Sequence, residues 1–473
     1  MDARSDPLLD RLAAIVGARN VLTDPAETRP YLVEPRDLFV GVARAVVRPG
    51  TTQEVAAIVR LAGETTTPIL PQGGNTGLVG GNVPDQSGRM VVVSLQRMNR
   101  IRAVDAAGDT MTAEAGVTLA AAQEAAAAAD RLFPLSLASE GTCTIGGNLS
   151  TNAGGTAVLA YGSARDLALG LEVVLPDGRI WNGLGRLRKD NTGYDLKSLF
   201  VGAEGTLGII TAAVLKLFPR PRASETALVG VPSPEAALAL FRRARAAAGP
   251  ALTTIELMPR IGIEFVLRHV PTARDPLATP HRWYVMIELT SPVAVGLDTT
   301  LAAILEGAIE AGEAEDATVA ASLEQRNAIW LLREAISDMQ KPEGGSIKHD
   351  ISVPVAAVPE LIARASAAAD RLIPGIRPVP FGHLGDGNIH LNFSQPLGAD
   401  KASYLARWDE LNAVVHAITA ELGGSISAEH GIGRLKRDLL PGVKDPVALD
   451  LMRTLKAALD PKGLMNPGAV LAE

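Results

Sequence analysis

Short apolar runs alternate with amphipathic stretches from residue 43 onward. The run ARAVVRP (43–49) predicts a strand, and TTQEVAAIVRLAGE (51–64), which follows it, predicts a helix. In that helix Thr51 and Glu54 have the spacing of a capping box, which favours a helix start at this point. The alanine-rich stretch LAAAQEAAAAADRLF (119–133) predicts a second, packed helix.

The stretches between and after these helices favour sheet structure. RMVVVSL (89–95) and GIITAAVLKLFP (208–219) predict strands. GLEVVLPDGRIWNG (170–183) predicts a hairpin that turns at Asp177-Gly178. Together these elements predict an α+β region over residues 1–220, which also carries nearly all the glycine-rich loops.

A second α+β region follows Pro221. The strand TALVGVP precedes the helix SPEAALALFRRARAAAG, for which Ser233 is a suitable N-cap and Gly249 a suitable end. The strands TTIELM and RWYVMIELT and a helix near 293–312 come next. The order strand-helix-strand-strand-helix is typical of a split ferredoxin-like unit.

Three further elements precede the C-terminus. SIKHDISVP predicts a strand, PELIARASAAADRLI a helix, and FGHLGDGNIHLNF (381–393) a hairpin. The final 426–473 stretch is too short to fold alone, so we expect it to pack back onto the first domain. The predicted domains are therefore 1–220, 221–425 and 426–473.

Composition restricts the possible functions. A chain of 473 residues is too long for one ordinary core, which indicates two or three domains. The net charge is −7 and no block of lysine and arginine occurs, so we expect no nucleic acid partner. Cys143 is the only cysteine, which rules out a disulfide within the chain and fits a reducing, cytoplasmic location.

Neither the N-terminus nor any later segment indicates membrane insertion. The stretch MDARSDPLLDRLAAIVG has early acidic residues and lacks the apolar core of a signal peptide. No run of about 18 apolar residues occurs, so we expect no membrane span. Attachment to a membrane partner stays open.

Two of the seven histidines flank the turn of the predicted hairpin 381–393. If Asp386-Gly387 are the central residues of a type I′ turn, His383 faces His390 across the two strands. Opposed residues have Cβ atoms about 4.5–5.5 Å apart, so both imidazoles reach one metal ion. Asn392 shares the face of His390. A packed or exposed histidine pair is the alternative.

A second cluster, SAEHGIGRLKRD (427–438), offers Glu429 and His430 beside glycines. Two histidines and one carboxylate form the ligand set of an open catalytic zinc site, with a position left for substrate. His430 would then act as a base beside the metal. Alone, the motif Glu-His-Gly is more typical of a solvated loop.

Two glycine-rich loops lie in the first region. PQGGNTGLVGGNVP (71–84) follows a predicted strand, and SEGTCTIGGNLSTNAGGT (139–156) adds serine, threonine and asparagine. Backbone N–H groups in such loops converge on phosphate oxygens, so the pair favours an anionic cofactor over ordinary turns. Neither loop fits the P-loop or the Rossmann pattern, so a nicotinamide cofactor is not the first choice.

Six motifs in order resemble the FAD-dependent D-2-hydroxyacid dehydrogenases of the vanillyl-alcohol oxidase/p-cresol methylhydroxylase superfamily. They are PQGGNTGLVGG, SEGTCTIGGNLSTNAGG, NTGYDLKSLFVGAEGTLGIIT, FGHLGDGNIHLNF, AEHGIGRLKRD and LKAALDPKGLMNPG, and they span almost the whole chain. The resemblance implies an α+β fold with a two-subdomain FAD-binding domain of p-cresol methylhydroxylase type. It also implies an α+β ferredoxin-like substrate domain and a small C-terminal helical segment.

The resemblance implies that FAD lies on the two glycine loops and two other motifs. The implied FAD-binding residues are Pro71, Gly73, Gly74, Asn75, Thr76, Gly77, Ser139, Gly141, Thr142, Gly146, Asn148, Asn152, Gly205, Ile210 and Asn466. Some relatives attach the flavin through a histidine in the first loop. Here residues 1–268 contain no histidine, so we expect non-covalent FAD.

The same resemblance assigns the remaining roles. It makes His383, His390 and Glu429 ligands of a divalent metal, zinc in the first place, and His430 the catalytic base. The residues implied to bind substrate are Arg333, Ser337, Lys348 and Asn392, with Arg333 and Lys348 gripping carboxylates. Taken alone, Arg333 is more typical of a surface helix. His349 has no implied role.

The implied reaction is oxidation of a D-2-hydroxyacid, D-2-hydroxyglutarate in the first place, to the 2-oxoacid. The metal stabilises the developing alkoxide, His430 takes the hydroxyl proton, and the C2 hydride goes to the flavin N5. The implied electron acceptor is an electron-transfer flavoprotein or a quinone pool rather than NAD, and a homodimer is one expectation for the assembly.

Three alternatives stay open at this point. In the first, the substrate is D-lactate, glycolate or another short hydroxyacid, which needs no second cationic anchor. In the second, the enzyme is an oxidase that passes electrons to oxygen. In a different class, the protein is a zinc hydrolase without flavin, whose glycine loops are only turns.

Overall fold

The computed structural model describes residues 6–472. Residues 1–5, which begin the N-terminal stretch considered above, and Glu473 lie outside the described residues. The chain separates into two compact units. The first consists of the residues up to Gly155, Gly162–Arg220 and the chain from Glu429 onward, and the second of Thr156–Tyr161 and Pro221–Ala428.

The first unit contains a four-stranded sheet, a five-stranded sheet and a two-stranded ribbon. The strand orders are β1-β2-β4-β3, β5-β6-β10-β8-β9 and β11-β7. The strands are β1 (Val21–Leu22), β2 (Ala45–Val47), β3 (Ile69–Gln72), β4 (Val91–Ser94), β5 (Ile101–Asp105), β6 (Thr110–Glu114), β7 (Arg131–Leu132), β8 (Ala168–Val174), β9 (Ile180–Gly183), β10 (Ile209–Lys216) and β11 (Phe218–Pro219).

The four-stranded sheet is covered by the helix Thr52–Thr65, at the position that the sequence predicts. The Thr51 hydroxyl accepts a hydrogen bond from the Glu54 N–H at 3.1 Å, which caps the helix. The Glu54 carboxylate accepts from the Gly50 N–H at 2.7 Å, one residue earlier than in an ideal capping box. Strands β2, β3 and β4 are parallel and lie side by side with their apolar residues buried.

All neighbouring strands of the five-stranded sheet are antiparallel. Strands β8 and β9 form the predicted hairpin, in which Val174 pairs with Ile180. Gly178 has φ +82°, a conformation that glycine adopts without strain. The turn at Asp177-Gly178 is therefore confirmed.

The helices of the first unit come from all three of its chain segments. They are Pro7–Val16, Pro25–Leu32, Thr52–Thr65, Leu119–Ala128, Ile145–Thr151, Ala164–Leu167, Lys197–Phe200, Leu440–Val443 and Pro446–Leu459, with 3₁₀ turns at Ala18–Asn20 and Arg437–Leu439. The C-terminal segment returns to the four-stranded sheet, where Met465 bridges to Ile69 of β3. No helix within residues 6–472 is both long enough and apolar enough to span a membrane.

The second unit is built on an eight-stranded sheet in the order β15-β12-β14-β13-β18-β19-β16, with β17 also paired to β19. Its strands are β12 (Ala223–Val231), β13 (Leu252–Pro259), β14 (Trp283–Ser291), β15 (Asp316–Val319), β16 (Ser346–Ile347), β17 (Asp350–Ser352), β18 (Arg377–His383) and β19 (Asn388–Ser394). All of its pairings are antiparallel.

Helices pack against this sheet and bury its apolar side chains. They are Val158–Tyr161, Pro234–Ala248, Arg260–His269, Leu297–Glu310, Leu323–Glu334, Ile336–Met339, Val358–Leu372, Lys401–Leu405 and Trp408–Glu421, with 3₁₀ turns at Gly249–Ala251 and Val355–Ala357. The helix Pro234–Ala248 begins at Ser233, whose hydroxyl accepts from the Ala236 N–H, and ends at Gly249 with φ +54°, as predicted.

Two elements of the second unit differ from the prediction. The helix Arg260–His269 lies between β13 and β14, where the sequence analysis has no helix. The stretch SIKHDISVP forms two short strands, β16 and β17, rather than one, and Lys348 and His349 lie at the break. This break takes Lys348 out of the regular strand pairing.

Candidate active site

The two predicted glycine loops touch each other in the first unit. The first loop follows β3, and an added Cβ at Gly74 would lie 1.9 Å from the carbonyl oxygen of Thr142. A Cβ at Gly73 would lie 2.3 Å from the Thr144 hydroxyl oxygen. Only glycine permits these approaches, so the sequence brings the backbones of both loops together. Backbone N–H groups concentrated in this way fit the phosphates of FAD.

Two asparagines predicted to bind the cofactor are engaged elsewhere through their side chains. The Asn75 amide donates to the carbonyl oxygens of Pro30 and Val33, each at 2.9 Å. The Asn152 side-chain oxygen accepts from the Ser163 hydroxyl and the Arg165 N–H, each at 3.0 Å. Both residues have positive φ, so they shape the loops.

Asn466 links three of the predicted motifs. It is buried, and its amide nitrogen donates to the carbonyl oxygens of Gly81 at 2.9 Å and Glu204 at 2.8 Å. Within residues 6–472 no donor reaches its side-chain oxygen. A buried acceptor without a protein donor fits a cofactor that carries N–H and hydroxyl groups, as FAD does.

The remaining predicted cofactor residues also lie in the first unit. Gly146 is held against Ala115, where a Cβ would lie 2.6 Å from the alanine Cβ. Gly205 has φ +73° and lies against Pro71. Thr76 and Gly77 belong to the first loop, Ser139, Gly141 and Thr142 to the second, Asn148 to the helix Ile145–Thr151, and Ile210 to β10.

The loop that carries the predicted base is held by a carboxylate that the sequence analysis misses. Glu204 accepts from the backbone N–H groups of Ile432 at 2.7 Å and Gly433 at 2.9 Å. Desolvation raises the pKa of Glu204. Glu429, the predicted third ligand, accepts from the Gly155 N–H at 2.6 Å. His430 lies between these two anchored positions.

The predicted pairing of the histidine hairpin in the second unit is wrong. His383 lies opposite Asn388 and Phe381 opposite His390, so a four-residue connection (384–387) joins the strands. Leu384 is fully buried and its N–H donates to the Ile255 carbonyl oxygen at 3.1 Å. Tertiary packing of Leu384 thus replaces the two-residue turn expected at Asp386-Gly387.

The structure nevertheless brings His383 and His390 together. Asn388, the partner of His383, lies two residues before His390 on β19, so the two histidines share a face of the sheet. Their ring centroids are 5.6 Å apart and a ring nitrogen of each lies within 4.8 Å of the other. Two imidazoles at this separation fit a divalent metal ion.

A buried glutamate that the sequence analysis misses supports this pair. Glu256 of β13 lies opposite His383 of β18 and accepts from its Nδ1 at 2.6 Å and from the Arg333 Nε at 2.6 Å. Burial by itself raises the pKa of this carboxyl, but the charges of Arg333 and His383 outweigh it and lower the pKa to about 2. The available signal was a charged residue inside the apolar strand TTIELM.

Each of the predicted substrate residues of the second unit is held by contacts within that unit. Lys348 donates from Nζ to the hydroxyl and carbonyl oxygens of Ser337, at 2.9 and 2.8 Å. Arg333 is buried on Glu256, contrary to the surface position that its sequence context favours. Asn392 is buried and its side-chain oxygen accepts from the His349 N–H at 3.3 Å. The His349 Nδ1 donates to the Leu391 carbonyl oxygen.

Comparison with known proteins gives the family. Residues 43–183 match the family model described as FAD binding domain, and residues 220–470 match the model described as FAD linked oxidases, C-terminal domain. The chain belongs to the FAD-linked oxidases. D-2-hydroxyglutarate dehydrogenase, mitochondrial, of Bos taurus is 40% identical over 468 residues, which cover 98% of this chain and 83% of that protein.

Two further comparisons agree. D-2-hydroxyglutarate dehydrogenase of Xanthomonas citri pv. viticola is 34% identical over 464 residues, covering 98% of this FAD-linked oxidase and 97% of the relative. A solved structure of p-cresol methylhydroxylase with substrate bound superposes with a TM-score of 0.76 at 17% identity and covers 98% of this chain and 96% of its own. The predicted fold class and the prediction of an FAD-dependent D-2-hydroxyacid dehydrogenase are confirmed.

Proposed function

We propose that this FAD-linked oxidase oxidises D-2-hydroxyglutarate to 2-oxoglutarate with non-covalent FAD and a divalent metal ion, for which zinc is the first choice. The observation that carries the proposal is the identity of 40% with a D-2-hydroxyglutarate dehydrogenase over 98% of the chain. The cationic residues of the second unit support a dicarboxylate, because Arg333 and Lys348 offer one cation for each carboxylate.

The proposed metal ligands are His383, His390 and Glu429. The histidine pair supports this proposal through its shared face and its ring separation of 5.6 Å. Glu429 follows Ala428, the last residue of the second unit, by a single peptide bond. When bound, the metal ion supplies a Lewis acid that stabilises negative charge on the substrate hydroxyl oxygen.

The proposed base is His430, which takes the proton of the substrate hydroxyl at a ring nitrogen. Arg333 and Lys348 bind the two carboxylates. Ser337 holds the Lys348 ammonium group in place by accepting two hydrogen bonds from the Lys348 Nζ. Fixing both ends of the substrate orients C2, which lowers the entropy cost of the reaction. The Asn392 side-chain oxygen accepts from the backbone N–H of His349, the residue that follows Lys348, and so helps to hold this part of the chain in place. When bound, FAD supplies the acceptor of the C2 hydride.

The proposed cofactor residues are the fifteen named in the sequence analysis. Contact of the two loops at Gly74 and the buried oxygen of Asn466 support this assignment. An electron-transfer flavoprotein or a quinone is the proposed acceptor of the electrons from FAD. The cytoplasmic location and the homodimer stay predictions.

A substrate panel tests this proposal. The purified protein is assayed with D-2-hydroxyglutarate, D-malate and D-lactate, each with and without a chelator. Turnover is measured as reduction of an artificial electron acceptor. We expect a yellow protein that turns over D-2-hydroxyglutarate with the highest kcat/KM and stops when the metal is removed. A higher kcat/KM for D-lactate, or full activity in a metal-free preparation, would contradict it; hydrogen peroxide formed in step with turnover would indicate an oxidase.

A further inference from the structure

One carboxylate in the second unit joins two residues that have separate roles in the proposed reaction. Glu256 is 1% exposed, and each of its two oxygens takes one partner. Oε1 accepts from the His383 Nδ1 and Oε2 from the Arg333 Nε, both at 2.6 Å. Such short contacts to charged or polarised donors hold both partners strongly.

The contact to His383 decides which ring nitrogen is available to a metal. A carboxylate that faces a guanidinium only accepts hydrogen bonds, so when His383 is neutral, as a metal ligand must be, its one ring hydrogen lies on Nδ1. The lone pair then lies on Nε2, the other ring nitrogen. Metal-binding histidines are commonly oriented by a carboxylate in this way, and loss of that carboxylate weakens metal binding.

The contact to Arg333 decides how its guanidinium lies. With Nε on Glu256 and the guanidinium carbon 5.0 Å from the centre of the Phe381 ring, the plane of the group is fixed. No acceptor within residues 6–472 meets Nη1 or Nη2 at hydrogen-bond distance. These two nitrogens form the edge that binds a carboxylate in a bidentate manner.

We propose that Glu256 is a positioning residue that sets both the metal affinity of His383 and the orientation of Arg333 toward a substrate carboxylate. This inference rests on the proposed function. It predicts that one substitution weakens metal binding and raises the KM together, although Glu256 touches neither ligand. In Glu256→Gln, the amide oxygen accepts from Arg333, so the amide N–H₂ faces the Nδ1 of His383. Nδ1 must then accept a hydrogen bond, which moves the imidazole hydrogen to Nε2.

The same unit contains a matched control for a purely structural role. Glu343 is also a carboxylate with a buried side chain, and it accepts from Arg377 Nη1 and His269 Nε2, each at 2.8 Å, and from Arg268 Nη1. Glu343→Gln therefore removes an equivalent charge from a carboxylate that bonds to arginine and histidine, and none of its partners is a proposed metal or substrate residue.

The experiment compares wild type, Glu256→Gln, Glu256→Asp and Glu343→Gln as full-length proteins. Zinc affinity is measured by competition with a chromophoric chelator, thermal stability by the melting temperature, and kcat and KM with D-2-hydroxyglutarate. We expect zinc affinity about 10- to 100-fold weaker in Glu256→Gln, together with a raised KM. Glu256→Asp, which keeps the charge, should lie between it and wild type. Glu343→Gln should lose stability alone.

Wild-type zinc affinity in Glu256→Gln, or an equal loss of affinity in Glu343→Gln, would overturn the inference while the proposed function stands. A wild-type protein that binds no zinc and turns over no hydroxyacid would remove the proposed function itself. Should Glu256→Gln not fold, Glu256→Asp carries the test, and wild-type zinc affinity and KM in that variant overturn the inference.

Discussion

Lys348 donates two hydrogen bonds from its ammonium group to Ser337, one to the hydroxyl and one to the backbone carbonyl oxygen. Lys348 lies at the break between β16 and β17, and Ser337 in the short helix Ile336–Met339. This arrangement holds the ammonium group of a half-buried lysine in one position. A cation fixed in this way suits the second carboxylate of a dicarboxylate substrate.

We therefore predict that Lys348→Met raises the KM for D-2-hydroxyglutarate by about tenfold or more, since a charge-assisted hydrogen bond to a carboxylate contributes on the order of 1.5–3 kcal/mol. The KM for D-lactate, which has one carboxylate, should change much less. Steady-state kinetics with both substrates measure the difference.

Lys341→Met is the control for that prediction. Lys341 is exposed and forms an exposed ion pair with Asp338, so its loss should leave both KM values unchanged. An equal rise of KM for both substrates in Lys348→Met would show that the lysine does not distinguish a dicarboxylate from a monocarboxylate.

The contact between the glycine loops gives a prediction about FAD. A methyl group at Gly74 would lie 1.9 Å from the Thr142 carbonyl oxygen, so Gly74→Ala must push the two loops apart. We expect this variant to be purified with most of its FAD lost. The ratio of absorbance near 450 nm to that at 280 nm measures the FAD content.

Gly185→Ala provides the control in the same unit, because no described residue lies within 4 Å of its added Cβ, Gly185 has no positive φ, and it is not among the proposed FAD-binding residues. This variant should stay yellow. Full FAD content in Gly74→Ala would show that the loops tolerate separation and that close contact is not needed for the cofactor.

Strong local signals made much of the fold predictable. The helix Pro234–Ala248 has a serine N-cap and a glycine end, and the β8–β9 hairpin has its Asp-Gly turn, and both occur as the sequence predicts. The helix Arg260–His269 has no side-chain N-cap hydrogen bond and follows Pro259 at the end of a strand, so no start signal marks it.

Long-range contacts made the rest unpredictable. Leu384 is part of the buried core and bonds to Ile255, which lengthens the hairpin connection beyond the Asp-Gly turn that local propensity favours. Glu256 meets Arg333 and His383 from 77 and 127 residues away, distances at which spacing in the sequence carries no information. The histidine pair was found because both members lie on one hairpin.

The proposed base can be tested by removing its ring. His430→Ala should lower kcat by about 10²–10⁴-fold, the usual contribution of a general base, while FAD and zinc contents stay at the wild-type level. Added imidazole should restore part of the rate, since a free base can enter the space of the missing ring. Wild-type kcat in His430→Ala would remove this residue as the base.

Glu343 gives a prediction about stability and pH. Burial by itself raises the pKa of Glu343, but hydrogen bonds from Arg377, His269 and Arg268 lower it to about 2, below the value of about 4.3 for an unfolded glutamate. The folded state thus binds fewer protons between these values, and the stability that Glu343 contributes is present above about pH 4.5 and lost as the pH falls toward 2. The urea midpoints of wild type and Glu343→Gln should differ at pH 7 and converge as the pH falls from about 4.5 toward 2. Glu264→Gln is the control: it removes a partly exposed carboxylate paired with Arg260, and its urea midpoint should match that of wild type at every pH. If the difference in urea midpoint between Glu343→Gln and wild type stayed constant with pH, the charge of Glu343 would not be what stabilises this site.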